Sequence, residues 1–158
     1  MAFNLKSLFG SSENNDNSSD KDRRSQERIK LPDEATILIV DDSRTANAVL
    51  KKILEPAGYS KISAADGEEG IAMAKFHQPD LILMDVIMPG LNGFQATRIL
   101  RKEDATKNIP ILIISGNEQA TEKFWGLRVG ANGFLAKPVD RGELFHLLRE
   151  HLLKAAVI

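Results

Sequence analysis

From Ala35 onward, short apolar runs alternate with longer mixed segments. Four-residue runs stand at Ile37–Val40, Leu81–Met84 and Ile111–Ile114, with shorter ones at Ile62–Ala65 and Phe134–Ala136. Runs that are apolar at every position, not at alternate ones, predict strands covered on both faces, as in a parallel sheet. The intervening segments carry helical spacing. Ser43 is placed to cap a helix that brings Ala46, Val49, Leu50, Ile53 and Leu54 to one face and ends before Gly58. Glu68–His77, with Ile71, Met73, Ala74 and Phe76, predicts a second helix. Asn92–Arg101, with Phe94, Thr97, Arg98, Ile99 and Leu100, predicts a third that stops before Pro110. Glu118–Val129 and Asp140–Leu153 complete the set. Five strands alternating with five helices predict an open, doubly wound α/β sheet with right-handed crossovers.

Ahead of this pattern the chain changes character, near Pro32. Residues 11–28 (SSENNDNSSDKDRRSQER) hold no apolar side chain. With nothing to bury, they cannot offset their ordering entropy, so residues 1–34 are expected to form a disordered polar tail ahead of one domain over 35–158. Within the tail, Phe3, Leu5, Leu8 and Phe9 make Met1–Gly10 a short apolar segment, read either as a docking peptide or as a plain terminus.

Composition removes several classes of function. The absence of Cys excludes a disulfide framework, a thiolate zinc site and a Cys nucleophile. The longest apolar run is four residues, so no segment can span a bilayer as a helix, and residues 1–34 lack a signal-peptide core. A cytoplasmic location is expected. The 21 basic and 22 acidic residues are spread evenly, and no block of Lys and Arg reads as a phosphate-binding stripe. Direct nucleic-acid binding is therefore not expected.

In an open α/β sheet, ligands bind beyond the carboxyl ends of the strands, where strand order switches. Polar residues gather at those ends here. Asp41 and Asp42 follow the first strand, Asp85 ends the third, Ser115 and Gly116 end the fourth, and Lys137–Pro138 closes the fifth. Singly, each has a bland reading as a cap, a turn or a surface charge. Together they bring three carboxylates, a hydroxyl and an ammonium to one rim. Clustered carboxylates repel and need a counter-ion, and an all-oxygen set without His or Cys favours Mg²⁺. Lys137 and Ser115 would then serve a transferring phosphoryl group, with one carboxylate as nucleophile. Asp85 is the best placed of the three. It opens a loop with Pro89, Gly90 and Gly93, where backbone can approach closely.

ILIVDDS (37–43), LILMDVIMPGLNG (81–93), ILIISG (111–116) and GANGFLAKPVD (130–140) together resemble the receiver domains of two-component response regulators. The resemblance covers residues 36 to about 155. It implies the flavodoxin-like, CheY-like fold with strand order 2-1-3-4-5. It also implies Asp85 as phosphoacceptor, Asp42 as direct Mg²⁺ ligand, Asp41 acting mainly through water, and the Ile87 backbone carbonyl as a further ligand. Ser115 and Lys137 would contact the phosphoryl group, and Lys137–Pro138 would be a cis peptide. Ser115 and Phe134 would form the switch, with Phe134 standing where many receivers carry Tyr. The implied partners are a sensor histidine kinase or a histidine phosphotransfer domain. The implied output is a protein target bound at the face of the fourth helix, fifth strand and fifth helix. The protein would not be an enzyme in the turnover sense, but a phosphoacceptor that catalyses its own loading and resets by hydrolysis. Within the family, MPGLNGFQATR (88–98) and WGLRVGANGFLAKPVD (125–140) are most similar to PilH-type regulators of twitching motility.

Other readings weigh less. A haloacid-dehalogenase-like phosphohydrolase needs a second Asp two residues after the nucleophile, where Ile87 stands. A flavin- or nucleotide-binding module lacks any glycine-rich phosphate loop, and an acidic rim would repel phosphate. A receiver acting as a scaffold without phosphorylation would not need the acidic set. His77, His146 and His151 show no ligand spacing. Phe124 and Trp125, on the fourth helix, divide between core packing and a partner surface.

Overall fold

The computed structural model describes residues 34–116 and 120–157, with the backbone alone at 120–122, 124 and 155–157. The readings of the tail, of Asn117 and Glu118, and of the packing of Phe124 lie outside the described residues. Five parallel strands form one sheet: β1 (Thr36–Val40), β2 (Ser60–Ala64), β3 (Leu81–Asp85), β4 (Ile111–Ser115) and β5 (Gly133–Ala136). Their spatial order is β2-β1-β3-β4-β5. The crossovers are helical: α1 (Arg44–Leu54), α2 (Gly67–His77), α3 (Gly93–Lys102), α4 (Ala120–Arg128) and, after β5, α5 (Arg141–Val157). A single turn of 3₁₀ helix (Glu55–Ala57) follows α1.

The all-apolar strands do what their pattern requires. Ile37, Ile39, Leu81, Leu83, Leu112 and Ile114 turn to one face, where they meet Leu50 and Leu54 of α1 and Leu144, Leu148 and Leu152 of α5. Leu38, Val40, Ile82, Met84, Ile111 and Ile113 turn to the other, against Ile71 and Ala74 of α2 and Ala96 and Leu100 of α3. Each fully buried Leu or Ile contributes roughly 1.5–3 kcal/mol. The expectation of two-sided cover fails at β2, where only Ala64 is buried. That strand lies at the sheet edge and has one neighbour.

The buried face of α1 is narrower than expected, and that of α2 is narrow too. Val49, grouped with Leu50 and Leu54, is exposed because it sits one step of about 100° round from Leu50. Phe76 is 83% exposed, since the buried stripe of α2 is Gly67, Gly70, Ile71 and Ala74. Two residues past Ala74, it falls on the far side, about 200° away.

Caps fix the helix starts. Ser43 accepts from the Ala46 N–H at 3.2 Å, and Asp66 accepts from that of Glu69 at 2.8 Å. Asn92 and Gln95 bond each other's backbone as a capping box, so Asn92 precedes α3 as its cap.

The end of the sheet at the strand amino termini is tied by Arg101, in the last turn of α3. Its guanidinium donates to the carbonyls of Gly130 and Ile109, both at 2.7 Å, to that of Lys107 at 3.2 Å, and to Asn132 Oδ1 at 2.6 Å. Gly130 has φ +106°, and a Cβ there would lie 2.8 Å from Arg101 Cγ. Glycine thus satisfies both the left-handed turn after α4 and the close approach.

Candidate functional site

The order β2-β1-β3 places a topological switch between β1 and β3, because the chain leaves β1 toward one side and returns on the other. Val40 pairs with Met84 in register. The next residues, Asp41 and Asp85, therefore emerge side by side at the carboxyl end of the sheet. Asp41 is 2% exposed and Asp85 7%. Asp42, one residue on, is exposed. One carboxylate oxygen from each of Asp41, Asp42 and Asp85 lies within 4.8 Å of the other two.

Local bonds hold this geometry. Asp41 Oδ1 accepts from the Ser43 N–H at 2.9 Å, and the Asp41 carbonyl accepts from Asn47 Nδ2 at 2.7 Å. Asn47, on α1, was not among the sequence candidates; its position four residues after the capping Ser43 is the one signal it offered. At β3, the Val86 carbonyl accepts from the Gly93 N–H at 2.9 Å. A Cβ on Gly93 would come 2.1 Å from the Asp85 carbonyl oxygen, so α3 begins this close to the strand only because residue 93 has no side chain.

Lys137 arrives from β5. Its N–H donates to the Ser115 carbonyl at 2.8 Å, and the Lys137–Pro138 peptide is cis. Nζ reaches Asp41 Oδ2 at 3.1 Å and Asp85 Oδ1 at 3.2 Å. One ammonium thus bridges two buried carboxylates. Burial, and then the charge of Asp41, push the Asp85 carboxyl up to about 6, with Lys137 pulling the other way. Burial lowers the Lys137 ammonium, but bonding and charge from Asp41 and Asp85 outweigh it, and the net direction is upward.

The remaining candidates fall around this pair. Ser115 is buried at the end of β4, one residue beyond Ile114, which pairs with Asp85. Phe134 lies on β5, half-buried against the cluster that holds Ile113, with Lys123 Nζ 5.7 Å from its ring centroid. Ile87 follows in the loop after β3 with its side chain 73% exposed. Trp125 is half exposed, which settles its place on the surface side of α4.

The donor set suits a hard divalent cation. It is all oxygen, it converges, and it carries three negative charges against the single ammonium of Lys137. Such a set favours Mg²⁺ or a similar ion over zinc or copper, which select nitrogen and sulfur. The arrangement also presents a half-buried cation beside a buried carboxylate, able to neutralise a tetrahedral oxyanion brought to that carboxylate.

Among the described residues, no helix is long and apolar enough to cross a membrane. The family model for the response regulator receiver domain matches residues 37–149. PilH of Pseudomonas aeruginosa is 49% identical over 110 residues, a match that covers 70% of this chain and 91% of that protein. Other curated relatives are longer, and the matched stretch spans 25–50% of each. The crystal structure of the Vibrio cholerae chemotaxis protein CheY4 superposes with a TM-score of 0.70 at 35% identity, covering 74% of this chain and 98% of that one. The receiver domain of a Pseudomonas aeruginosa sensor histidine kinase gives 0.71 at 32% identity, covering 75% and 98%. In that crystal structure a magnesium ion is coordinated in the active-site cleft. Sheet order, the acidic crevice at the β1–β3 switch and the match across residues 37–149 lead to one assignment: the chain belongs to the family of response regulator receiver domains.

Proposed function

We propose that this receiver accepts a phosphoryl group on Asp85 from the phosphohistidine of a sensor kinase or phosphotransfer domain. The observation that carries the reading is the bridged pair: a buried carboxylate at the end of β3, 3.2 Å from an ammonium that also holds Asp41. Asp41, Asp42 and Asp85, joined by the Ile87 carbonyl, would hold Mg²⁺, which supplies charge neutralisation for the incoming phosphoryl oxygens. With its carboxyl at about 6, Asp85 is mostly ionised near neutral pH and is a competent nucleophile.

An Asp85 carboxylate oxygen attacks phosphorus in line. The P–N bond breaks, its electron pair returns to the donor imidazole, and an acyl phosphate remains on Asp85. Lys137 shifts from its carboxylate partners toward the new dianion, and the Ser115 hydroxyl donates to a phosphoryl oxygen. The added charge of about −2 draws in the Ser115 end of β4. Phe134 turns into the space released, and Lys123 leaves its ring. The face of α4, β5 and α5 then presents a changed surface to a protein target. Water later cleaves the acyl phosphate, freeing phosphate and restoring Asp85, so the protein is a self-resetting switch and not a turnover enzyme. Its likeness to PilH supports a role in type IV pilus motility or a related chemosensory pathway in the cytoplasm.

The test is labelling by acetyl phosphate or by a phosphorylated kinase, with Mg²⁺ present. Wild type should take up one acid-stable, base-labile phosphoryl group, and Asp85→Asn none. Label retained in Asp85→Asn would overturn the assignment.

A further inference from the structure

The end of the sheet opposite the acidic crevice carries the reverse charge. A groove of about 400 Å³ lies between the last turns of α3 and α4, lined by Arg98, Arg101, Lys102, Trp125, Arg128 and Val129. Among the described residues, no carboxylate lines it. Helix physics explains part of this, since Arg101, Lys102 and Arg128 sit in last turns, where cations complement the negative helix end. It does not explain Arg98, a turn earlier. Arg98 stands at i, i+4 to Lys102, so two like charges face each other at a cost. Neither has a carboxylate at ion-pair distance among the described residues. Nor does it explain why an indole, 50% exposed, lies among these cations.

We propose that this groove binds a nucleoside phosphate, its base lying on the Trp125 indole and its phosphates held by Arg98, Lys102 and Arg128. Several observations favour that class. A bare inorganic anion would leave the indole uncovered, and a neutral aromatic would leave the like charges unrelieved. A planar base with a polyanionic tail answers both. The volume is within the range of small-ligand sites. Arg101 provides a preformed floor, because its hydrogen bonds to four acceptors fix the guanidinium before any ligand arrives. The acidic crevice lies the length of β4 away. Five residues at about 3.3 Å each give roughly 16 Å. That exceeds the Debye length of about 8 Å at physiological salt, so the carboxylates do not repel a ligand bound here.

Trp125 is the chain's one tryptophan, so its emission reports on this groove alone. The full chain should be titrated with ATP, GTP and inorganic triphosphate, in EDTA at physiological ionic strength, with calorimetry in parallel. At least one nucleotide is expected to give saturable quenching, with affinity about tenfold above that of triphosphate, corresponding to the stacked base. Arg98→Gln and Arg128→Gln, both at exposed helix positions, should each weaken binding about fivefold while circular dichroism still shows a folded protein. The proposal is overturned if neither nucleotide saturates the signal at millimolar concentration, or if triphosphate binds as tightly as both. Wild-type affinity in the Arg98→Gln/Arg128→Gln double variant would overturn it equally.

Discussion

Replacing Asp85 by Asn should make the metal-free protein more stable, although it destroys the phosphorylation site. The carboxyl of Asp85 is raised from 3.8 to about 6 in the folded protein, so folding disfavours its ionised form. A raised acid pKa leaves stability intact below 3.8 and erodes it as pH climbs through 6, because the folded state then holds a proton the unfolded chain would release. About two units at 1.36 kcal/mol each set the full cost at roughly 3 kcal/mol above pH 6. Asn has nearly the same shape and no charge, and it leaves Lys137 paired with Asp41. A gain of about 1–3 kcal/mol is therefore expected at pH 7.5, shrinking toward zero near pH 4. Urea unfolding followed by circular dichroism in EDTA measures it, with both proteins run across that pH range. Magnesium should close or reverse the gap, since a ligand that binds only folded wild type stabilises it by mass action. The reasoning is refuted if Asp85→Asn is no more stable than wild type at pH 7.5 in EDTA, or if the gap is constant with pH.

Lys137→Ala takes the ammonium from two buried carboxylates, and about 1–3 kcal/mol of metal-free stability should go with it at pH 7.5. The loss should be smaller at pH 4.5; equal losses in urea titrations at both values would contradict the bridging role. The same variant should still label but fail to change its partner binding when phosphorylated, as a pulldown of both forms would report. Gly93→Ala drives a Cβ into the Asp85 carbonyl and should cost about 2 kcal/mol or more, with labelling slowed in whatever remains folded. Leu148→Ala, in the α5 layer, should cost about 2–5 kcal/mol and leave labelling of the folded protein unchanged.

Much of the fold was legible because the central strands are apolar at every position. Leu38 and Ile39 cannot both be buried unless the sheet is covered on two sides, and that requirement leads to helical crossovers and a parallel order. The edges were less legible. β2 reads as another run, Ile62–Ala65, yet its register starts at Ser60 and only Ala64 is enclosed, since one flank has no neighbour. Val49 differs from expectation for a related reason: spacing names a helix but not how wide a stripe its neighbour covers. At the site, the strand-end rule brought out Asp41, Asp85, Ser115 and Lys137 as a group. The bridge from Lys137 to both carboxylates needed the sheet order, because those residues are far apart in the chain. Asn47 leaves no charge pattern in the sequence, because its contribution is a bond to backbone. The basic groove is illegible for the opposite reason. Its charges were visible, but Arg98 and Arg128 belong to different helices, and a near-neutral total says nothing of where helices end.

The four-acceptor clasp of Arg101 bears on mechanics. It joins the end of α3 to the turn after α4, to the segment entering β4 and to the residue before β5. The Arg128 end of α4 is thereby tied, while its Ala120 end is the one nearer Ser115 in the chain. If phosphorylation draws in the Ser115 end of β4 as proposed, a pull passed on to α4 would not slide the helix along the sheet as a block. It would tilt the helix about the clasp, converting a displacement of the β4 end into rotation, with the travel of each side chain growing with its distance from Arg101. Lys123 would then sweep further than Arg128. A guanidinium that makes no contact with the chemistry would in this sense be the fulcrum of the lever.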